Sequence, residues 1–139
     1  MKMNEQKTVL HVDDDEDIRT ITRLAVSFEP GLKLVQCASG EEAIETLRAM
    51  APNSPHLFLL DMVMPGMDGE ETFSGLRACE NGKETPVVFM SARAEREFAD
   101  RMKSIGALGV IVKPFDPLTL PEMLLELIES PIVPHKEVS

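Results

Sequence analysis

Cysteine is scarce in this chain, bases are outnumbered and no apolar stretch is long. The two cysteines, Cys37 and Cys79, stand alone in apolar or helical contexts without metal-type spacing, so they are read as reduced, structural thiols. The three histidines, His11, His56 and His135, are scattered, which removes a zinc centre from consideration. His11 lies within an apolar run and reads as a packed core residue. No apolar run approaches the roughly 20 residues of a membrane span, and the opening MKMNEQK lacks a signal-peptide core. A cytoplasmic protein without membrane insertion is therefore expected. Lys and Arg number 14 against 24 Asp and Glu, a formal charge of -10. Such a chain is repelled by nucleic acid and anionic membranes over a Debye length of about 8 Å. A basic protein face or an Mg2+ ion suits it better.

What is present is enough for one domain: 139 residues, 43% of them apolar, with no internal repeat. The expected boundaries are an N-terminal tail at 1–6, a domain at 7–130 and a C-terminal tail or truncated linker at 131–139. The most informative stretch is His56 to Glu70, HLFLLDMVMPGMDGE. Its apolar run Leu57 to Leu60 has the length of a strand buried on both faces, and it ends on Asp61. Met64-Pro65-Gly66 and Asp68-Gly69 then form a tight excursion before the next helix.

The same arrangement recurs along the chain. Thr8 to Val12 is a strand ending on the acidic run Asp13 to Asp17, and a helix follows with Ile18, Ile21, Thr22, Ala25, Val26 and Phe28 at roughly helical spacing. Leu32 to Cys37 is a second strand. Ser39 caps a helix at Gly40 to Met50, and a third helix spans Gly69 to Cys79. Pro86 to Met90 is a strand that ends on Ser91, with a charged helix from Ala92 to Ser104. Leu108 to Val112 ends on Lys113-Pro114-Phe115, and a last helix covers about Leu118 to Glu129. Strand and helix alternate throughout, which predicts an α/β fold: a five-stranded parallel sheet with helices on both faces. In such a sheet the carboxyl ends of the strands share one edge, where ligands bind.

That edge collects Asp13 and Asp14, Asp61, Ser91 and Lys113. Three neighbouring carboxylates repel one another unless a cation joins them, and Mg2+, with Mn2+ as a substitute, takes hard oxygen ligands of this kind. With the charge drawn off, the Asp61 carboxylate can attack phosphorus and form an acyl phosphate. Of the three phosphoryl oxygens, one can meet the metal, one the Ser91 hydroxyl and one the Lys113 ammonium.

Taken together, Val12-Asp13-Asp14-Asp15, Leu60-Asp61 through Asp68-Gly69, Met90-Ser91-Ala92 and Val112-Lys113-Pro114-Phe115 resemble the response-regulator receiver domain of two-component signalling, over about Thr8 to Glu129. The resemblance implies a flavodoxin-like, doubly wound sheet of order 2-1-3-4-5. It implies that Asp61 is phosphorylated, that Asp13 and Asp14 hold the metal with the backbone carbonyl of Val63, that Ser91 is the switch hydroxyl, and that Lys113 binds the phosphoryl group ahead of a cis Pro114. Asp15 falls to the loop or helix start. The implied activity is self-catalysed phosphotransfer and autodephosphorylation rather than turnover of a separate substrate.

Two positions depart from the family pattern. Val110 stands where an aromatic ring is common, and Arg93 lies two residues after the switch hydroxyl, where a long cation beside apolar Val63 would hinder the hydrolytic water and lengthen the phosphoryl lifetime. The implied partners are a sensor histidine kinase or histidine phosphotransfer protein and a downstream effector protein. Kinase specificity is expected on the first helix, around Ile18, Thr22 and Ala25, and in the loop after Lys113. The last helix carries Glu122, Glu126 and Glu129 without a base, which disfavours the dimer of the largest receiver class and leaves a monomer or weak dimer. Two rivals remain: a pseudo-receiver that binds partners without phosphorylation, and an Mg-dependent aspartyl-phosphate phosphohydrolase of the haloacid-dehalogenase type. The second usually has an Asp where this chain has Val63.

Overall fold

The computed structural model describes residues 5–130. Within them, strands β1 (Lys7–Val12), β2 (Leu32–Cys37), β3 (Leu57–Asp61), β4 (Val87–Ser91) and β5 (Val110–Val112) alternate with helices α1 (Glu16–Val26), α2 (Gly40–Met50), α3 (Gly69–Arg77), α4 (Arg96–Ser104) and α5 (Leu120–Glu129). The strands form one parallel sheet in the order β2-β1-β3-β4-β5, the doubly wound arrangement expected from the alternation. The expected C-terminal tail at 131–139 lies outside the described residues, as do residues 1–4.

β3 occupies the middle of the sheet, and all of its residues are buried. Successive side chains of a strand point to opposite faces, so Phe58 and Leu60 enter a core beneath α2, α3 and α4, while Leu57 and Leu59 enter a second core beneath α1 and α5. Each fully buried leucine contributes about 1.5–3 kcal/mol relative to exposure. A one-residue slip would exchange the two faces along the whole strand, so this packing fixes how far β3 reaches and where Asp61 emerges. The strand order reverses between β1 and β3, where the connections leave in opposite directions and open a crevice above the carboxyl ends.

Helix boundaries differ from the periodicity reading in ways that local hydrogen bonds explain. α4 begins at Arg96 rather than Ala92: the Arg93 N–H donates to the Ser91 hydroxyl at 3.0 Å and its guanidinium pairs with Glu95 at 3.1 Å, so the chain after Ser91 is held in a loop. α5 begins at Leu120 rather than Leu118 because Asp116 organises a turn first, accepting the Leu118 N–H on its side chain and the Thr119 N–H on its carbonyl. α3 stops at Arg77 rather than Cys79, and the Arg77 guanidinium crosses to the carbonyls of Gly82 and Thr85.

The larger correction concerns α1. Of the three residues expected to meet a kinase, Thr22 and Ala25 are buried against the sheet, while Ile18 is half-buried. Ile21, Leu24 and Phe28 are the apolar residues left outside, with Phe28 at 82% exposure beyond the end of the helix.

Candidate functional site

Four of the five strands, all but β2, place a polar residue at their carboxyl ends. Asp13 follows β1 and remains in the sheet, its N–H donating to the Cys37 carbonyl at 3.1 Å. Asp61 is the last residue of β3, aligned with Met90 of β4, and Ser91 is the last of β4, aligned with Val112 of β5. The Lys113 N–H donates to the Ser91 carbonyl at 2.8 Å, so Lys113 also leaves the sheet from a hydrogen-bonded position. These backbone ladders hold the site from below, and none of the groups depends on a free loop for its placement.

The side chains converge. Asp13, Asp14 and Asp61 each offer a carboxylate oxygen within 4.8 Å of the others. Asp13 and Asp61 are buried and Asp14 is exposed. The Lys113 ammonium lies between the two buried acids, 2.9 Å from Asp61 Oδ1 and 3.2 Å from Asp13 Oδ2. Burial raises the Asp61 carboxyl to about 6; the Lys113 hydrogen bond opposes the rise, while Asp13 and Asp14 add to it. Burial alone would push the Lys113 ammonium down, but the carboxylates of Asp61 and Asp13 outweigh it and hold it above its ordinary value.

A centre with this much concentrated negative charge, already drawing in one ammonium, suits a hard divalent cation. Mg2+ takes oxygen from one or two carboxylates and retains water on its remaining positions, a donor set that Asp13, Asp14 and Asp61 can supply. Val63 lies in the loop immediately beyond Asp61 with its side chain 78% exposed. That loop is drawn down by Gly69, whose N–H donates to the Met62 carbonyl at 3.0 Å. A Cβ on Gly69 would lie 2.5 Å from the Asp61 carbonyl oxygen and 2.8 Å from Met62 Cα, so the close approach of α3 to this loop requires glycine.

Ser91 is buried one strand away, and its hydroxyl accepts the Arg93 N–H, which leaves the hydroxyl hydrogen available for an incoming acceptor. Arg93 does not lean across the acids in this state: its guanidinium stacks 4.6 Å from the Phe98 ring centre. Val110 is buried in the core beneath α4. Asp15 caps α1, accepting from the N–H groups of Asp17 and Ile18, and is occupied as the sequence suggested. The Lys113-Pro114 bond is cis. His11 is fully buried, and its imidazole is pushed down to about 3 by burial and then by the charges of Lys113 and Arg19, so it is neutral. Cys37 and Cys79 are both free thiols.

Two contributors were not singled out from the sequence. Gly69 was legible only as a turn former. Arg19 donates from Nη1 to the Asp13 carbonyl at 2.8 Å, and its only sequence signal is its place in the first helix after the acidic run.

A family model described as response regulator receiver domain matches residues 9–125. The chain is 34% identical over 114 residues to sporulation initiation phosphotransferase F of Bacillus subtilis, covering 82% of this chain and 86% of that protein. It is 36% identical over 114 residues to the transcriptional regulatory protein CseB of Streptomyces avermitilis, covering 82% of this chain but 46% of the relative. The chain thus spans about half the length of the transcriptional regulators it matches. Among solved structures it superposes on the chemotaxis protein CheY4 of Vibrio cholerae with a TM-score of 0.76 at 29% identity, covering 87% of this chain and 98% of that one.

Proposed function

The chain belongs to the response regulator receiver domain family, a phosphoacceptor signalling module, and we propose that Asp61 is the residue that takes the phosphoryl group. The observation that carries this reading is the buried Asp61 carboxylate, held at the end of the central strand within 4.8 Å of two further carboxylates and 2.9 Å from a lysine. Asp13, Asp14, Asp61 and the main-chain carbonyl of Val63 would hold Mg2+ or Mn2+. When bound, the ion offsets the repulsion among the acids and polarises a phosphoryl oxygen.

The rest is done by the chain itself. An Asp61 oxygen forms a bond to phosphorus as the bond between phosphorus and the donor breaks, and that electron pair leaves with the donor's imidazole or acetate. A carboxyl that titrates near 6 is mostly ionised at neutral pH, as a nucleophile must be. Lys113, already against Asp61, pairs with one phosphoryl oxygen and Ser91 donates to another, so both move toward the new charge and carry β4 and β5 loop segments with them. Water later cleaves the acyl phosphate and restores the carboxylate.

The donor in this reading is a sensor histidine kinase or a histidine phosphotransfer protein, and the product is read by an effector protein in the cytoplasm. Ile21, Leu24 and Phe28, with Leu118 in the loop after Lys113, take the place of the buried Thr22 and Ala25 as the surface a kinase would meet. Glu122, Glu126 and Glu129 are exposed on α5 with no base beside them on that helix, which favours a monomer or weak dimer.

Acetyl phosphate and Mg2+ test the reading directly. The wild type should gain the mass of one phosphoryl group, and Asp61→Asn should not. A wild type that stays unmodified is a pseudo-receiver, and one that hydrolyses the donor without retaining phosphate is a phosphohydrolase.

A further inference from the structure

Asp13 is held at every polar atom it has. Its N–H donates to the Cys37 carbonyl, Oδ1 accepts the Asp15 N–H at 2.9 Å, Oδ2 accepts from Lys113, and its main-chain carbonyl accepts from Arg19 Nη1 at 2.8 Å. Asp14 is exposed, so the peptide that joins it to Asp13 must do much of the work of aiming its carboxylate. That peptide includes the carbonyl Arg19 grips.

Arg19 is itself anchored. Its carbonyl accepts from Gln36 Nε2 at 2.8 Å, and the same amide nitrogen lies 3.0 Å from His11 Nδ1. Gln36 Oε1 accepts from Arg23 at 3.1 Å, so one side chain of β2 ties α1 at two places and meets β1. The neutral His11 adds no charge to this partly buried connection. A guanidinium near a cation site is electrostatically adverse, yet here it binds a neutral carbonyl rather than cancelling a carboxylate. That choice of partner is what a tether would make.

We infer that Arg19 is a positioning residue for the acidic pair: by fixing the Asp13 carbonyl it aligns the carboxylates of Asp13 and Asp14 before the cation arrives. This rests on the metal-dependent reading above, and the two can fail separately. Loss of an outer partner of a metal ligand weakens the metal by roughly 10–100-fold.

The test is Mg2+ titration of the full chain by calorimetry, checked with Mn2+ by electron paramagnetic resonance, for wild type, Arg19→Met, Arg19→Gln and Arg19→Lys. Thermal unfolding of each in EDTA runs alongside. Alignment predicts about tenfold weaker binding in Arg19→Met and Arg19→Gln, with most of it recovered by Arg19→Lys, which keeps a donor and the charge. If charge repulsion were all that Arg19 contributed, the two neutral variants would bind Mg2+ more tightly. If it served only folding, they would melt earlier with wild-type affinity. Either result overturns the inference, and Arg19→Gln decides it should Arg19→Met not fold. A wild type that binds no Mg2+ would overturn the metal-dependent reading instead.

Discussion

Replacing Asp61 with asparagine should stabilise the metal-free protein at neutral pH. The carboxyl titrates near 6 in the folded chain against an ordinary 3.8, so the native state holds its proton more tightly than the unfolded state does. Below about pH 4 both states are protonated and nothing is lost. Between pH 4 and 6 the unfolded state ionises first, and stability falls as pH rises. Once Asp61 is fully ionised, a difference of this size, in which the Lys113 contact is already counted, sets a ceiling of about 3 kcal/mol of destabilisation, which solvent screening at the rim reduces. Asparagine removes that cost and leaves Lys113 paired with Asp13 at 3.2 Å. Net stabilisation of about 1–2 kcal/mol remains, or a rise in melting temperature of roughly 3–8 °C.

The assay is thermal unfolding in EDTA from pH 4 to 8, followed by far-ultraviolet circular dichroism because the chain has no tryptophan or tyrosine to report on packing. The melting temperatures should nearly coincide at pH 4 and separate through pH 6. Saturating Mg2+ should narrow the gap at pH 7 by stabilising the wild type more. A variant less stable than wild type at pH 7, or a gap that does not change with pH, would refute the claim that Asp61 is ionised against the preference of its surroundings.

Gly69→Ala forces a Cβ against the Asp61 carbonyl and Met62, and should cost about 1–3 kcal/mol in chemical denaturation while slowing phosphorylation. A fully stable, fully active Gly69→Ala protein would show that the loop can shift freely. Ser91→Ala removes one donor to a charged oxygen, worth about 1.5–3 kcal/mol, and should slow phosphorylation from acetyl phosphate roughly 10–100-fold with little change in Mg2+ affinity. Arg93→Ala should shorten the acyl-phosphate lifetime measured after removal of the donor. Since Arg93 rests on Phe98 and Glu95 in the unphosphorylated protein, that effect requires it to swing over the phosphoryl group, and an unchanged or longer lifetime would exclude such a role.

The sheet and the rim were legible because both follow from one pattern, an apolar run long enough for a doubly buried strand and ending on a charge or hydroxyl. Leu57 to Asp61 shows it most plainly, and the positions of Asp13, Ser91 and Lys113 follow from the same rule. α1 was less legible because it is apolar on two sides. Hydrophobicity alone cannot tell Thr22 and Ala25, which pack on the sheet, from Ile21, Leu24 and Phe28, which do not. The start of α4 was misplaced because Ala92 to Glu95 have acceptable helix propensity, and only the hydroxyl of Ser91 and the side chain of Glu95 divert them. Arg19 left no mark beyond its place in the first helix, since its partner is a main-chain carbonyl and carries no side-chain signature.

The most direct measurement is peptide mass spectrometry after acetyl phosphate treatment, with and without Mg2+, locating the phosphoryl group along the chain. Modification confined to the peptide that contains Asp61, and abolished by EDTA, is the result expected. A phosphoryl group on another residue, or one that forms equally well in EDTA, would contradict the assignment of a cation-activated carboxylate at the end of the central strand.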